Sequence, residues 1–420
     1  QETQLGSLAA CWIRDDRFRI EASLGLADSD SVYGYDEDWT FVGFDPFEYS
    51  STDYYLRDRS TLTTELRVLS GDATRFLDGR GTWAFGVYRL DASEDLNRDY
   101  TFAAGRFTSA FDVESIAVFG QLDVDVTPLL RLTAGVRFED HSSDYIDSDG
   151  ARFSPSDELE GWRIGLDRTV GDSLMVYGLL AGGYKAGGFN TNGSLSAELR
   201  TFDPEESTNL EIGLKGALLD DRLMLRLALF SMERDEIQIE QSIVISRPDG
   251  SSEFIEYIDN GVSGTNTGLE AEVGFSLGDA WQLQATVGLL DTEFDSYVNP
   301  GGEDLSGREQ PHAPEYQFAF SALRQLRNNS YIEVAIEGRD AFFFSSSHSE
   351  QSRAYESINA AWGFNINDWN LRLWGRNLTD EDILTRGFYF GNDPRLIYDA
   401  RGYTQLAEPR RIGVSLSRSF

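Results

Sequence analysis

Apolar and polar residues alternate with a period of two along much of the chain. Ile116, Val118, Leu122, Val124 and Val126 alternate with Ala117, Gln121, Asp123 and Asp125. Leu130, Leu132, Ala134, Val136 and Phe138 alternate with Arg131, Thr133, Gly135, Arg137 and Glu139. The rhythm recurs at Leu210, Ile212 and Leu214 and at Leu223, Leu225, Leu227 and Leu229. It returns in the closing residues, where Ile412, Val414, Leu416 and Phe420 share a face interrupted by Arg418. A helix would scatter these positions around its circumference; a strand places them on one side. The pattern predicts strands with one apolar and one polar face.

The predicted connections come in two kinds. Short turns fall at Arg14–Arg17, Thr127–Pro128, Gly171–Asp172, Leu219–Arg222, Gly278–Asp279, Arg327–Asn329 and Asn367–Asp368. Long polar stretches lie near residues 30–54, 141–157, 187–206, 244–260, 295–312 and 383–408. Tight turns at one rim and long loops at the other predict an all-β, transmembrane antiparallel β-barrel with short periplasmic turns and long extracellular loops. A soluble sandwich or propeller would bury its apolar face against protein and requires no such asymmetry. The expected strands Glu206–Leu218 and Arg222–Gln241 are also longer than the ~5–6 residues usual in globular sheets.

The count is about 17 strands. With the turn at Arg14–Arg17 on the periplasmic side, a first strand near Gln4–Ile13 and the last strand both run inward. Neighbouring end strands would then be parallel, whereas bacterial single-chain barrels have even strand numbers. Either the first segment is not a barrel strand or an odd number of strands precedes Gln1; the second is the favoured expectation, so that residues 1–420 form one barrel domain, incomplete at its N-terminal side. The start at Gln1, without Met or a leader, is expected of a processed or truncated product.

Composition narrows the chemistry. Forty glycines and 13% aromatics suit strands and turns better than helices. One cysteine, Cys11, excludes an intrachain disulfide framework, and His141, His312 and His348 are too scattered to suggest a metal site. A net charge of −35 opposes nucleic-acid binding. No apolar run approaches the ~20 residues of a transmembrane helix, a test that strands escape. Asp147–Gly150 is too short a match for a calcium loop, and neither a nucleophile elbow nor a phosphate loop is present, so no metal, cofactor or enzymatic activity is expected.

Several segments resemble the C-terminal part of TonB-dependent outer-membrane receptors. They are VYGLLAGGYKAGGFN (Val176–Asn190), FDPEESTNLEIGLKGALLDDRLMLRLALFSMERDEIQ (Phe202–Gln238), NTGLEAEV (Asn266–Val273), LWGRNLTDEDI (Leu373–Ile383) and EPRRIGVSLSRSF (Glu408–Phe420). YGYDEDW (Tyr33–Trp39) and LTTELRVLS (Leu62–Ser70) resemble earlier barrel segments of the same family. The resemblance implies a 22-stranded barrel in the bacterial cell outer membrane. It also implies uptake of a scarce ligand such as a ferric siderophore, haem, cobalamin or glycan. Coupling to the TonB complex would run through a plug domain with no counterpart here; a plug-less passive pore or structural envelope partner is the alternative. Membrane lipid is the expected surrounding. Phe420 resembles the terminal signature read by the barrel-assembly machinery.

Candidate ligand contacts are the loop aromatics Tyr33, Tyr35, Trp39, Phe388, Tyr389 and Phe390. Either a stacking platform or an interfacial girdle uses such residues. Arg372, Trp374 and Arg376 share the face read as lumenal, where a plug or an anionic ligand would meet them. Lys185, Gly187, Gly188 and Phe189 are read as the start of a loop, the glycine pair permitting a tight bend.

Overall fold

The computed structural model describes residues 1–246, 252–299, 301–327 and 329–418. These residues form an all-β chain with no α-helix and three single turns of 3-10 helix. One antiparallel sheet of eighteen strands dominates, one member being the two-residue piece Arg152–Phe153. The other seventeen follow chain order, each bonded to the next. They begin Glu2–Arg14, Phe18–Asp36, Thr52–Ser70, Gly81–Tyr100, Phe107–Thr127, Leu130–Asp147, Ser156–Val170 and Leu174–Lys185. They continue Glu205–Leu218, Leu223–Asp235, Ser263–Leu277, Trp281–Ser296, Tyr316–Gln325, Ser330–Arg339, Tyr355–Ile366, Trp369–Arg376 and Arg411–Arg418.

The alternation seen in the sequence is the two-sidedness of this wall. Val87, Val118 and Phe138 are cross-strand register partners, and each is about half exposed (47%, 50% and 50%). Ser115 and Ala117, on the opposite face, are buried. A water-soluble sandwich would show the reverse, since burial of apolar area is what drives its folding. Here the described hydrophobic clusters lie at the outer rim of the wall and in the loops above it. One joins Ile237, Ile239, Val262, Phe294, Tyr297 and Leu305; the other joins Leu195, Ile255 and Tyr257. Both consist of loop residues and of residues at the outer ends of strands.

Strand length separates membrane from crown. Nine to eleven tilted residues cross the hydrocarbon layer, about 9–11 by the usual geometry. Phe107–Thr127 has 21 residues, so its outer part stands clear of the bilayer. Short turns sit at one rim, several using a left-handed residue: Gly171 (φ 64°), Gly278 (φ 60°) and Asn367 (φ 52°). The long segments after Asp36, Asp147, Lys185, Asp235, Ser296 and Arg376 project from the other.

Several details differ from the sequence reading. The strand expected over Arg222–Gln241 ends at Asp235, because Glu236 turns left-handed (φ 51°); Ile239–Ser246 instead starts a separate hairpin with Ser252–Asp259. Residues 71–80 extend one short-side turn, with Trp83 Nε1 donating to the Thr74 carbonyl at 3.2 Å. Residues 340–354 form an outer loop where none was expected. Tyr33 and Tyr35 belong to the strand Phe18–Asp36 rather than to a loop. Phe420 lies outside the described residues.

Among the described residues Glu2–Arg14 pairs only with Phe18–Asp36, and Arg411–Arg418 only with Trp369–Arg376. Among the described residues the two end strands are not bonded to each other, and they run in the same direction.

If the apolar face contacts lipid, Val118→Arg should cost about 2–4 kcal/mol of folding stability, measured by denaturant titration in phospholipid vesicles. A cost below about 1 kcal/mol would put that face in water.

Candidate functional site

Near the outer end of the wall, the polar face carries a connected group of charged and aromatic side chains. Asp53 is almost fully buried (1% exposed), and an isolated carboxylate there would be costly. It is met by a two-pronged Arg98, with Nε at 2.9 Å and Nη2 at 2.7 Å, and by the Tyr55 hydroxyl at 2.8 Å. The Arg98 guanidinium lies over the rings of Tyr55 (5.1 Å) and Tyr100 (4.9 Å), while Arg57 covers Tyr55 at 5.0 Å. Tyr33 is the register partner of Tyr55 and Tyr35 that of Asp53, so both join this group; the Tyr33 ring lies 6.4 Å from that of Tyr55.

Of these, Tyr55, Arg57, Arg98 and Tyr100 border a cavity of about 1470 Å³ that extends to Arg106, Tyr145, Phe189 and Arg200. Sequence reasoning missed the Asp53–Arg98 group, although Asp53, Tyr55, Arg57 and Arg59 recur at every second position. Gly187, Gly188 and Phe189 border the same cavity, and Lys185 ends its strand.

The other aromatic candidates meet across the crown. Trp39, left-handed at φ 55°, packs edge-on against Phe388 (6.1 Å), Phe390 (5.2 Å) and Tyr403 (5.8 Å). Phe388, Tyr389 and Phe390 belong to the strand Leu384–Phe390 of a loop hairpin. The Phe344 ring lies against Gly387, where a Cβ would overlap it. That contact brings the unexpected loop 340–354 into the crown. Trp39, Phe388, Tyr389 and Phe390 all line a cavity of about 590 Å³, together with His312, His348, Arg234 and Arg386; Tyr33 and Tyr35 do not.

Hydrogen bonds lock the two contributing loops together. Asn392 Nδ2 donates to the Asp38 carbonyl (3.0 Å), Tyr49 OH to Asn392 Oδ1 (3.2 Å) and Tyr398 OH to the Phe47 carbonyl (2.8 Å). Asp38 organises its own loop by accepting from Thr40 Oγ1 (2.7 Å) and from the amides of Thr40 (2.9 Å) and Ser51 (2.7 Å). Burial raises its pKa, but these hydrogen bonds outweigh burial and hold the carboxyl below its ordinary value.

Arg372, Trp374 and Arg376 lie together on the polar face. Arg372 pairs with Glu333 at 2.9 Å, Trp374 Nε1 donates to Ser415 Oγ at 2.9 Å, and Arg376 covers the Trp374 ring at 5.4 Å. They border a small space of about 170 Å³, separate from both outer cavities. Among the described residues, no group of three His, Cys, Asp or Glu side chains is placed to hold a metal ion.

A folded-state pKa below the unfolded value stabilises above the ordinary carboxylate range and is lost as pH falls through it. Hydrogen-exchange protection of the Thr40 and Ser51 amides should therefore be high at neutral pH and collapse in acid. In Asp38→Asn it should already be about tenfold lower at pH 7, as expected for losing charge-assisted bonds. Unchanged protection in that variant would remove Asp38 from this role.

Known proteins account for this architecture. The profile described as "TonB dependent receptor-like, beta-barrel" matches residues 5–378. The pesticin receptor of Yersinia pestis is 22% identical over 343 residues, which span 78% of this chain and 48% of that protein. The ferripyoverdine receptor of Pseudomonas aeruginosa is 35% identical over 86 residues, 20% of this chain and 10% of that protein. Among solved structures, the ferric yersiniabactin uptake receptor of Yersinia pestis superposes with a TM-score of 0.78 at 18% identity, covering 99% of this chain and 60% of that one. The chain thus spans about half the length of the curated relatives it matches most broadly, and those relatives are receptors rather than enzymes. Barrels of this family are outer-membrane proteins, which places the chain in the outer membrane of a Gram-negative bacterium. With its profile match over most of its length, the chain belongs to the TonB-dependent receptor β-barrel family.

Proposed function

We propose that the chain is the ligand-admitting wall of a receptor that takes up a ferric siderophore, with further strands and a plug domain completing the transporter. The observation that carries this reading is the outer lumen itself: a roomy cavity edged by Arg57, Arg98, Arg106 and Arg200 and by tyrosine and phenylalanine rings. Arg98, Arg106 and Arg57 are ion-paired with Asp53, Asp99 and Glu94, and Glu94, Asp147 and Asp149 also line the cavity, so the cation this reading assigns to an anionic, aromatic ligand is Arg200. Arg200 has no ion-pair partner among the described residues; its guanidinium lies 4.9 Å from the Phe153 ring centroid. The names of the ferripyoverdine and ferric yersiniabactin receptors support the same ligand class.

Further strands are proposed because an unpaired strand edge within hydrocarbon leaves backbone groups that nothing can satisfy. The two end strands each have such an edge toward the other. Surrounding lipid, the assembly machinery and the TonB complex are the partners this reading requires, the last through the plug. Arg372, Trp374 and Arg376 are then wall positions facing that plug. Phe388 and Tyr389 form part of the ligand platform.

The complete gene product should restore iron-limited growth on a ferric siderophore to a receptor-deficient strain only when TonB is present. Restoration without TonB would support the passive-pore alternative and overturn this reading. Tyr389→Ala should weaken ligand binding several-fold, in line with the ~0.5–1.5 kcal/mol of an aromatic pair, while barrel stability is unchanged. Loss of stability with unchanged binding would make the residue a girdle aromatic.

A further inference from the structure

The clasped loops also present an apolar surface to the outside that neither the ligand cavities nor the wall explain. Phe41, Val42, Phe47 and Ile397 are 69%, 82%, 77% and 87% exposed. They are not lipid-facing positions of the wall: they lie in the segment after Asp36 and the segment after Phe390, beyond the outer strand ends. The two segments meet here. Phe41 meets Phe44 at 5.4 Å, the Arg395 guanidinium covers Phe44 at 4.7 Å, and the Tyr398 hydroxyl bonds the Phe47 carbonyl. The clasp of Asn392 on Asp38 therefore does two things: it builds the aromatic nest around Trp39 and turns these side chains outward as one surface. Apolar groups gathered on a water-facing crown mark an interaction surface rather than a lipid contact.

Charge selects the occupant. Residues 36–53 contain Asp36, Glu37, Asp38, Asp45, Glu48 and Asp53 and no lysine or arginine, while in the segment after Phe390 Asp393 and Asp399 offset Arg395 and Arg401, Arg395 being paired with Asp393 at 2.7 Å, so the rim is acidic overall. Asp45 and Glu48, directly beside the patch, bond only to backbone amides of their own loop: Phe47 to Asp45 at 2.9 Å, and Asp45 to Glu48 at 3.1 Å, with Gly43 also donating to Glu48. Neither has an ion-pair partner among the described residues. An apolar centre with an acidic rim repels a second copy of itself and complements a cationic segment bearing aromatic side chains. We propose that this crown is a docking surface for a cationic, aromatic-bearing peptide segment of a partner protein, independent of the ligand cavities beneath it.

The test uses the purified chain in zwitterionic lipid nanodiscs, with empty nanodiscs as reference. The probes are two hexapeptides, one alternating arginine with tryptophan and one alternating glutamate with tryptophan. The arginine peptide should bind saturably and weaken at least tenfold in 0.5 M salt, while the glutamate peptide should not bind. Phe41→Ser/Phe47→Ser and, separately, Ile397→Ser should each weaken binding by tenfold or more while keeping the wild-type circular dichroism. These side chains point outward, so their loss leaves the wall intact. Equal binding of the two peptides, or wild-type affinity in both variants, would overturn the proposal. So would concentration-dependent dimerisation that the variants abolish, since a second copy would then be the occupant. Failure here leaves the siderophore reading standing, because that reading rests on the cavity and on TonB-dependent growth.

Discussion

A backbone amide or carbonyl within hydrocarbon has no water to bond with, and the whole architecture follows from that fact. Every wall strand must be bonded to its neighbours, which requires long antiparallel strands joined in chain order. With the backbone satisfied laterally, side chains sort by face alone: Val87, Val118 and Phe138 outward, Ser115 and Ala117 inward. The apolar residues that would fill the core of a soluble domain are spent on the lipid face. Conventional cores are displaced into the loop crown, where Ile237, Phe294 and Leu305 pack together. The same constraint gives meaning to the two end strands, whose edges the described residues leave unbonded to one another.

The crown works under the opposite rule. It stands in water, so its order comes from side-chain bonds and ring packing instead of a ladder. Asp38 holds the turn after Asp36, Asn392 bridges to it from more than 350 positions away, and Trp39 fits among Phe388, Phe390 and Tyr403. Below them, Arg98 and Asp53 neutralise each other while Tyr55 and Tyr100 flank the guanidinium. Rigid strands thus carry a rim that side-chain bonds and ring packing hold in order.

How far the sequence could be read depended on which rule applied. The period of two survives translation into structure, so Phe107–Thr127 and Leu130–Asp147 were legible, as was the asymmetry of turns and loops. Ile239 and Gln241 misled because a loop hairpin continues the rhythm of a wall strand, and only the left-handed Glu236 separates the two. Tyr33 and Tyr35 looked like loop residues because outer strand ends are as polar as loops once they leave the bilayer. The meeting of Trp39 with Phe388 and Phe390 left no local trace, since their spacing has no period. Residues 340–354 were overlooked for a related reason: Phe342, Phe343 and Phe344 are not the polar residues that mark the other long loops, and they pack within the crown.

The central claim is that one face of this wall meets lipid and the other an aqueous lumen. It is tested most directly by spin labels placed singly along Phe107–Thr127 in a Cys11→Ser background, reconstituted in lipid. Accessibility to oxygen should peak at positions 116, 118 and 122, and accessibility to a water-soluble nickel reagent should peak at the intervening positions, with a period of two. Uniform access to the nickel reagent, or no alternation, would contradict the account.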